Sequence, residues 1–467
     1  CSPYCNSGAH VEVPTSLPAH RHSMTTLRFG PPGAITSEAR VPGDKSISHR
    51  ALLLSACASG TTTITGINRG EDVLATLGAL RALQIDVKDE KTSIQVTGGE
   101  FPAVASAIDC GNSGTTMRLL IGLLAGRTHC TLDGDSSLRR RPMERVAEPL
   151  RLMGASVTTT SYGIVPDARD PGSIGVPPVQ LGLKADLHGI DYVQRVASAQ
   201  VKSAILLAGL RAEGITTVRS ALPSRDHTER MLAAMGGRLH IEGHATSIRP
   251  GPLRALEEYS VPGDPSAAIF FLVAASSMDG VVLTIHEVCV NPTRTGAFDI
   301  MREMRARLHL GPEIERNHEP VASITIEGGA KLHATTITPD LVPNLIDEVP
   351  ALCALAALAE GDFAVRGAAE LRVKESDRIA STAMMLRAFG ANAIETDDGI
   401  IVRGGSELHA PTRIDTAGDH RIGMSAAALA AAIRAPIEIV NAGCIDTSFP
   451  DFAAAWSAAF GTPFSFA

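Results

Sequence analysis

Val41-Pro42-Gly43-Asp44 returns as Val261-Pro262-Gly263-Asp264, 220 positions further along a chain of 467 residues. A duplicated tetrapeptide at nearly half-chain separation predicts two similar halves. A finer repeat lies inside them. Six stretches, LRALQIDV, LRLMGASV, LAAMGGRL, MREMRARL, LRAFGANA and AAFGTPFS, each read as the end of an apolar helix, a turn and a strand. Their turn residues are Gln84, Gly154, Gly236, Arg305, Gly390 and Gly461, spaced by 70, 82, 69, 85 and 71 residues. Glycine suits the position just past a helix, where the backbone takes a positive φ. Gln84 and Arg305 replace it in two copies, and the last run ends the sequence. Three markers follow each VPGD. The chain therefore reads as α/β, with two similar lobes of three units each, and these units are larger than the common solenoid repeats. The expected division is residues 24–43 plus 264–467 for lobe 1 and 44–263 for lobe 2. Two lobes joined by two passes of chain enclose a cleft, a favoured place for a ligand.

Composition narrows the function. Hydrophobic residues make up 44% and charged residues 20%, the balance of a globular protein long enough for more than one core. Aromatics are 4%, with Trp456 the one tryptophan, and the net charge is −8. Both argue against nucleic-acid binding. No apolar run reaches the ~18 residues of a membrane span, so no membrane role is expected and the chain is assigned to the cytoplasm. Eight cysteines are scattered without a C-x-x-C pair. Neither a zinc site nor a disulfide framework is expected; they read as small buried apolar residues in a reducing compartment. Residues 1–23 are polar and Pro-rich and read as an N-terminal extension, expected to be disordered, with Met24 a candidate start. His20 and His22 form a weak metal signal, and no metal is expected.

The chemistry gathers where helices begin. Gly43-Asp44-Lys45-Ser46-Ile47-Ser48-His49-Arg50 is a turn running into a helix over 47–58, with Ser46 or Ser48 as the expected cap. A helix N-terminus with two cations is an anion site, although the spacing is not that of a Walker A loop. Gly111-Asn112-Ser113-Gly114-Thr115-Thr116-Met117-Arg118 opens a second helix, and its glycines admit a ligand close to the backbone. Arg139-Arg140-Arg141-Pro142 precedes a third, Ser198-Ala199-Gln200-Val201-Lys202 a fourth and Arg225-Asp226-His227 a fifth. Asp347 and Glu348 lead into the helix from 351, and Asp419-His420-Arg421 into another. Lys374 and Arg378, four residues apart, are expected on one helix face, where two like charges call for an anion between them. So many donors at helix starts in an acidic chain predict a site for a multiply anionic small molecule. Asp347 and Glu375 are its candidate acid–base groups.

Nine ordered motifs now stand in the sequence: VPGDKSISHR, GNSGTTMR, RRPMERV, SAQVKSA, RDHTE, NPTR, IDEVP, RVKESDR and DHRIGM. Together they resemble the 5-enolpyruvylshikimate-3-phosphate synthases over roughly residues 38–455, and GDKS, SAQVK, RDHTE and NPTR resemble the bacterial class II branch. The resemblance implies an inside-out α/β barrel of two lobes, each of three βαβαββ units, closing on substrate. It implies a 3-phosphoshikimate 1-carboxyvinyltransferase of the shikimate pathway of aromatic amino-acid biosynthesis. Such an enzyme moves the enolpyruvyl group of phosphoenolpyruvate to the 5-hydroxyl of shikimate 3-phosphate and needs no cofactor. Shikimate 3-phosphate would be held by Lys45, Ser46, Arg50, Ser198, Ala199, Gln200, Arg225, Asp347 and Lys374. Phosphoenolpyruvate would be held by Lys45, Gly114, Arg141, Gln200, Arg378 and Arg421. Asp347 would be the base at the 5-hydroxyl, with Glu375 and Lys45 serving the methylene proton.

The resemblance also implies a monomer, with glyphosate as a candidate inhibitor. Thr447, Leu119 and Glu370 stand where class I members carry Lys, Pro and Asn. Many class II members carry Ala where this chain has Gly114. Two rival readings are the sister UDP-N-acetylglucosamine enolpyruvyltransferase and a non-catalytic anion-binding protein on the same scaffold. The first uses a loop cysteine as proton donor, and 139–144 contain none.

Overall fold

The computed structural model describes residues 25–33, 36–161, 175–183 and 186–466. The expected extension at 1–23 lies outside these. Among the described residues six sheets contain runs of four paired strands. In each, one edge pair is parallel and the other pairs antiparallel: Glu258–Ser260 with Thr61–Thr65, Ile108–Asp109 with Cys130–Asp133, Asp191–Val193 with Thr216–Arg219, Thr36–Ala39 with Val282–Cys289, Thr336–Ile337 with Asp362–Val365, and Arg413–Asp415 with Ile437–Val440. Strands Leu27–Phe29 and Thr36–Ala39 join sheets otherwise built from the second half of the chain.

Each unit contributes two helices of opposite character. Six are sunk in the interior: Lys45–Cys57, Gly114–Leu124, Ala199–Gly209, Pro265–Ser276, Val349–Ala357 and His420–Ala432. Pro265–Ser276 and Val349–Ala357 are buried at every residue, as expected of helices apolar on all sides. The other six cover the sheets, and each runs into one of the six turn residues. All six of those have positive φ: Gln84 59°, Gly154 97°, Gly236 84°, Arg305 69°, Gly390 85° and Gly461 60°. Gln84 and Arg305 thus hold the same conformation without the freedom of glycine.

Apolar residues form two clusters. One comprises Leu27, Phe29 and side chains from Ala267 to Phe460. The other runs from Ile47 to Val261 and includes Cys289. The two VPGD segments cross between them as an antiparallel pair: Asp44 N–H donates to the Pro262 carbonyl at 2.7 Å and Asp264 N–H to the Pro42 carbonyl at 2.8 Å. Gly43 has no room for a side chain, since a Cβ there would lie 2.0 Å from the Gly66 carbonyl oxygen.

Local readings needed correction at helix starts. The first buried helix is capped by Asp44, which accepts from Ile47 N–H at 2.8 Å, and not by Ser46 or Ser48, which are its second and fourth residues. The run after Arg141-Pro142 becomes helix only at Glu144, because residues 138–140 form a separate 3-10 turn. Of the cysteines described, Cys110, Cys130, Cys289, Cys353 and Cys444 are buried and Cys57 is partly so, none paired. None of the helices described is long and apolar enough to cross a membrane.

Candidate active site

The N-termini of the six buried helices face one cavity of about 440 Å³ between the lobes. Their partial positive charges make it a natural anion site. Caps fix those ends: Ser113 accepts from Thr116 N–H, Ser198 from Val201 N–H, Asp264 from Ser266 N–H and Asp419 from Arg421 N–H. Lys45, Ser46, Gly114, Arg141, Ser198, Ala199, Gln200, Arg225, Asp347, Lys374, Glu375, Arg378 and Arg421 all line the cavity. Arg50 does not. It is 3% exposed, and its guanidinium is committed to the Ser46 carbonyl at 3.0 Å, Thr228 Oγ1 at 2.7 Å and Ser203 Oγ at 2.9 Å. It sits one turn behind Ser46 and steadies it.

Asp347 is the centre of charge. Its Oδ2 accepts from Arg225 Nη2 at 2.7 Å, and its Oδ1 accepts from Arg378 Nη1 at 3.2 Å and lies 3.7 Å from Lys374 Nζ. Arg421 Nη1 donates to its carbonyl at 2.8 Å. Burial works to raise the carboxyl pKa, but Lys374, Arg421, Arg225 and Arg378 outweigh it and hold the group well below the usual range. Glu375 is bonded to Arg378 Nη2 and lies 3.9 Å from Arg141 Nη1. Against the same cost of burial, Arg378, Arg141 and Lys45 hold it well below the usual range too. Both carboxylates are therefore ionised, and one buried guanidinium joins them. Arg378 is itself fixed by Asp419, whose Oδ2 accepts from its Nε at 2.8 Å.

The expected pairing of Lys374 and Arg378 on one helix face does not occur. Lys374 is in extended backbone just past a 3-10 turn, and the helix starts at Arg378 behind its cap Asp377. The two cations converge on an anion nonetheless, and that anion is Asp347.

Several residues at the site escaped the sequence reading. Asp72 holds Lys45 Nζ at 2.8 Å. Arg118 donates to Gln200 Oε1 at 2.5 Å, and Gln200 in turn donates to Thr115 Oγ1 at 2.8 Å. Arg145 crosses the cleft to Glu370 at 3.3 Å, and Lys374, Arg145 and Arg118 bring the Glu370 carboxyl down to about 2 against the effect of burial. Arg118 closes the GNSGTTMR motif one helical turn after Gly114, a spacing that points it the same way. Asp72 and Arg145 carry no such local signal. Glu370 was noted only as a departure from class I. Thr447, the other polar departure, is buried and outside the cavity wall. Among the described residues no cluster of His, Cys, Asp and Glu could hold a metal ion.

Known proteins resemble this chain over most of its length. The chain is 45% identical over 435 residues to the 3-phosphoshikimate 1-carboxyvinyltransferase of Geobacter sulfurreducens, covering 92% of this chain and 98% of that protein. It is 46% identical over 435 residues to the protein of the same name from Halorhodospira halophila, covering 91% and 94%. The EPSP synthase of Acinetobacter baumannii, known from a 2.37 Å structure, superposes with a TM-score of 0.80 at 42% identity, covering 95% of this chain and all of that one. The enolpyruvyl transferase NikO from Streptomyces tendae shares the fold at a TM-score of 0.72 and 16% identity. The family model described as EPSP synthase (3-phosphoshikimate 1-carboxyvinyltransferase) matches residues 30–456, and with six helix ends, two ionised carboxylates and a ring of cations around one cleft, the chain belongs to the EPSP synthase family.

Proposed function

We propose that this chain transfers the enolpyruvyl group of phosphoenolpyruvate to the 5-hydroxyl of shikimate 3-phosphate and releases phosphate. The observation that supports it most is the pair Asp347 and Glu375, both bonded to Arg378 and both ionised, in a cavity also lined by Lys45, Arg141, Arg225, Lys374 and Arg421. In the addition step Asp347 takes the 5-hydroxyl proton while the oxygen bonds to C2 of phosphoenolpyruvate. Glu375, after gaining a proton, delivers it to C3, with Lys45 beside it. In the elimination step ionised Glu375 takes a proton back from C3, the C2–C3 double bond re-forms and the C2–O bond to phosphate breaks; the departing phosphate carries off the proton that Asp347 took from the 5-hydroxyl. Arg141, Arg378 and Arg421 hold the carboxylate and phosphate of phosphoenolpyruvate. Ser46, Ser198, Ala199, Gln200, Arg225 and Lys374 hold shikimate 3-phosphate, with Arg50 supporting Ser46 from behind.

The low carboxyl pKa values have a place in this scheme. A substrate anion that takes over Arg225 or Arg378 relieves Asp347 and Glu375 of neighbouring positive charge, and their proton affinity rises when it is needed. Residues 24–43 plus 264–467 and residues 44–263 form the two closing lobes. The protein works as a monomer in the cytoplasm, with glyphosate as an inhibitor at the phosphoenolpyruvate subsite. Phosphate release, measured with phosphoenolpyruvate and either shikimate 3-phosphate or UDP-N-acetylglucosamine, tests the proposal. Turnover with the first acceptor alone is expected. Turnover with the second identifies the sister activity, and turnover with neither leaves an anion-binding protein.

A further inference from the structure

Two of the nine motifs, RDHTE and NPTR, supply little or nothing to the chemistry above beyond Arg225. NPTR ends in Arg294, which is 2% exposed and lies in the cavity wall. Its guanidinium spans the two VPGD copies: Nη1 is 3.0 Å from Asp44 Oδ2 and Nη2 is 2.9 Å from Asp264 Oδ1. Nη2 also donates to Ser266 Oγ at 2.8 Å, and Ser266 Oγ is bonded to Glu348, the residue after Asp347. The two aspartates are the caps of the first buried helix of each lobe. Asp264 Oδ2 further accepts from the backbone N–H of Lys45 at 3.0 Å. The same motif grips RDHTE, because Asn291 Nδ2 donates to Asp226 Oδ1 at 2.7 Å, beside Arg225.

We infer that Arg294 is a positioning residue: it pins the two helix caps together at the crossing and so sets the register of Lys45 against Arg378 and Arg421, both bonded to Asp347, when the lobes close. Two buried carboxylates this close repel, and each needs the shared cation. Burial pushes Asp44 up but Arg294 holds it below the usual range, whereas burial and the charge on Asp44 push Asp264 up. The guanidinium suits the task because its fork reaches two acceptors at once; an ammonium group is a point charge and favours one.

The consequence separates the two substrates, and here the inference rests on the proposed function. The candidate phosphoenolpyruvate groups are divided between lobes, with Lys45, Arg141 and Gln200 on one side and Arg378 and Arg421 on the other. That subsite exists only in correct register. Most candidate shikimate 3-phosphate groups lie on one side. Arg294→Lys should therefore raise KM for phosphoenolpyruvate about tenfold while Kd for shikimate 3-phosphate changes less than threefold. Asp264→Asn keeps one acceptor oxygen, enough for the Ser266 or the Lys45 N–H but not both, and loses the charge facing Arg294; it should give the same split. The double variant should be no worse than Arg294→Lys, since both changes break one pin.

Steady-state phosphate release with both substrates varied, with calorimetry for shikimate 3-phosphate, reads these out. A wild-type protein that releases no phosphate defeats the functional reading. If the wild type is active and folded Arg294→Lys shares its KM for phosphoenolpyruvate, or loses kcat with both substrate constants unchanged, the pin is refuted. Failure of both single variants to fold assigns Arg294 to folding alone and refutes it as well.

Discussion

The helices that follow the two VPGD copies part company in their first turn. After Asp44 come Lys45 and Ser46, then His49 and Arg50; after Asp264 come Pro265 and Ser266, then nine residues from Ala267 to Ala275 without an ionisable group. Both aspartates cap their helices, and both face Arg294. One helix brings a cation to the cavity; the other starts on proline, which has no N–H to offer, and is wholly buried. The lobe holding Pro265 contributes instead from its next two units, with Asp347, Glu375, Arg378 and Arg421. Repetition thus determines where helix ends converge, and a few first-turn residues decide which ends do chemistry.

The sharpest way to break this comparison is to remove the base from the lobe that supplies carboxylates. Asp347→Asn keeps a polar group between Arg225 and Arg378 but accepts no proton. A positioned general base contributes typically ~10²–10⁴-fold, so kcat should fall by that range while shikimate 3-phosphate still binds. Retention of more than about a tenth of wild-type kcat would remove Asp347 from the role.

A milder test uses one buried histidine from each lobe. His49 and His420 are both held well below the ordinary value of 6.5, first by burial and next by Lys45. Each stays neutral in the folded protein as the pH falls, while the unfolded chain takes up a proton below about 6.5. The unfolded state then binds more protons, and stability drops as pH decreases through that window, by about 1.4 kcal/mol per unit for each histidine. The melting temperature should be level from pH 8 to 7 and decline below 6.5, before the carboxylates titrate. Asp44, Asp347, Glu370 and Glu375 have depressed values, so their stabilisation persists above the usual carboxylate range and is lost only at more acidic pH. A melting temperature that stays flat down to pH 5 would show that these imidazoles are not buried neutral.

The smallest effect concerns the turn residues. Gln84 adopts φ 59° where four of the six markers are glycine. A left-handed conformation costs a residue with a side chain roughly 1–2 kcal/mol, and glycine gives back part of the gain through its freer unfolded chain. Gln84→Gly should therefore stabilise by about 0.5–1 kcal/mol, read as a rise in denaturation midpoint. No rise would mean that the glutamine side chain makes compensating contacts.

The frame was legible because each of its signals is local. A helix followed by a residue at positive φ leaves a recognisable octapeptide, and six of them gave the units even where Gln84 and Arg305 obscured the pattern. The site was legible as helix starts, and thirteen of the singled-out residues line one cavity. Arg50 lies one turn behind the cavity wall; a motif shows that residues are neighbours but not which face of the helix meets the cleft. Lys374 and Arg378 were misjudged because a 3-10 turn and the cap Asp377 intervene, and i to i+4 spacing has meaning only inside a helix. Asp72, Arg145 and Arg294 were not legible at all as site residues. Their partners Lys45, Glu370 and the two aspartates lie 27 to 250 positions away, and no periodicity encodes such meetings.

The crossing of the VPGD segments bears on the order in which the molecule can be assembled. Asp44 and Pro262 are hydrogen-bonded neighbours, so everything between them leaves and returns at one point, like an inserted module whose ends meet. The strands before it must wait. Thr36 pairs with Val282, and Leu27 with Ile439. A chain emerging from the ribosome N-terminus first exposes Leu27–Phe29 and Thr36–Ala39 while the inserted lobe already has nearly all its own strands. Thr36–Ala39 can pair once residue 285 has been synthesised, but the enclosing lobe closes only after residues 437–439, and until then Leu27–Phe29 remains without a partner on either side.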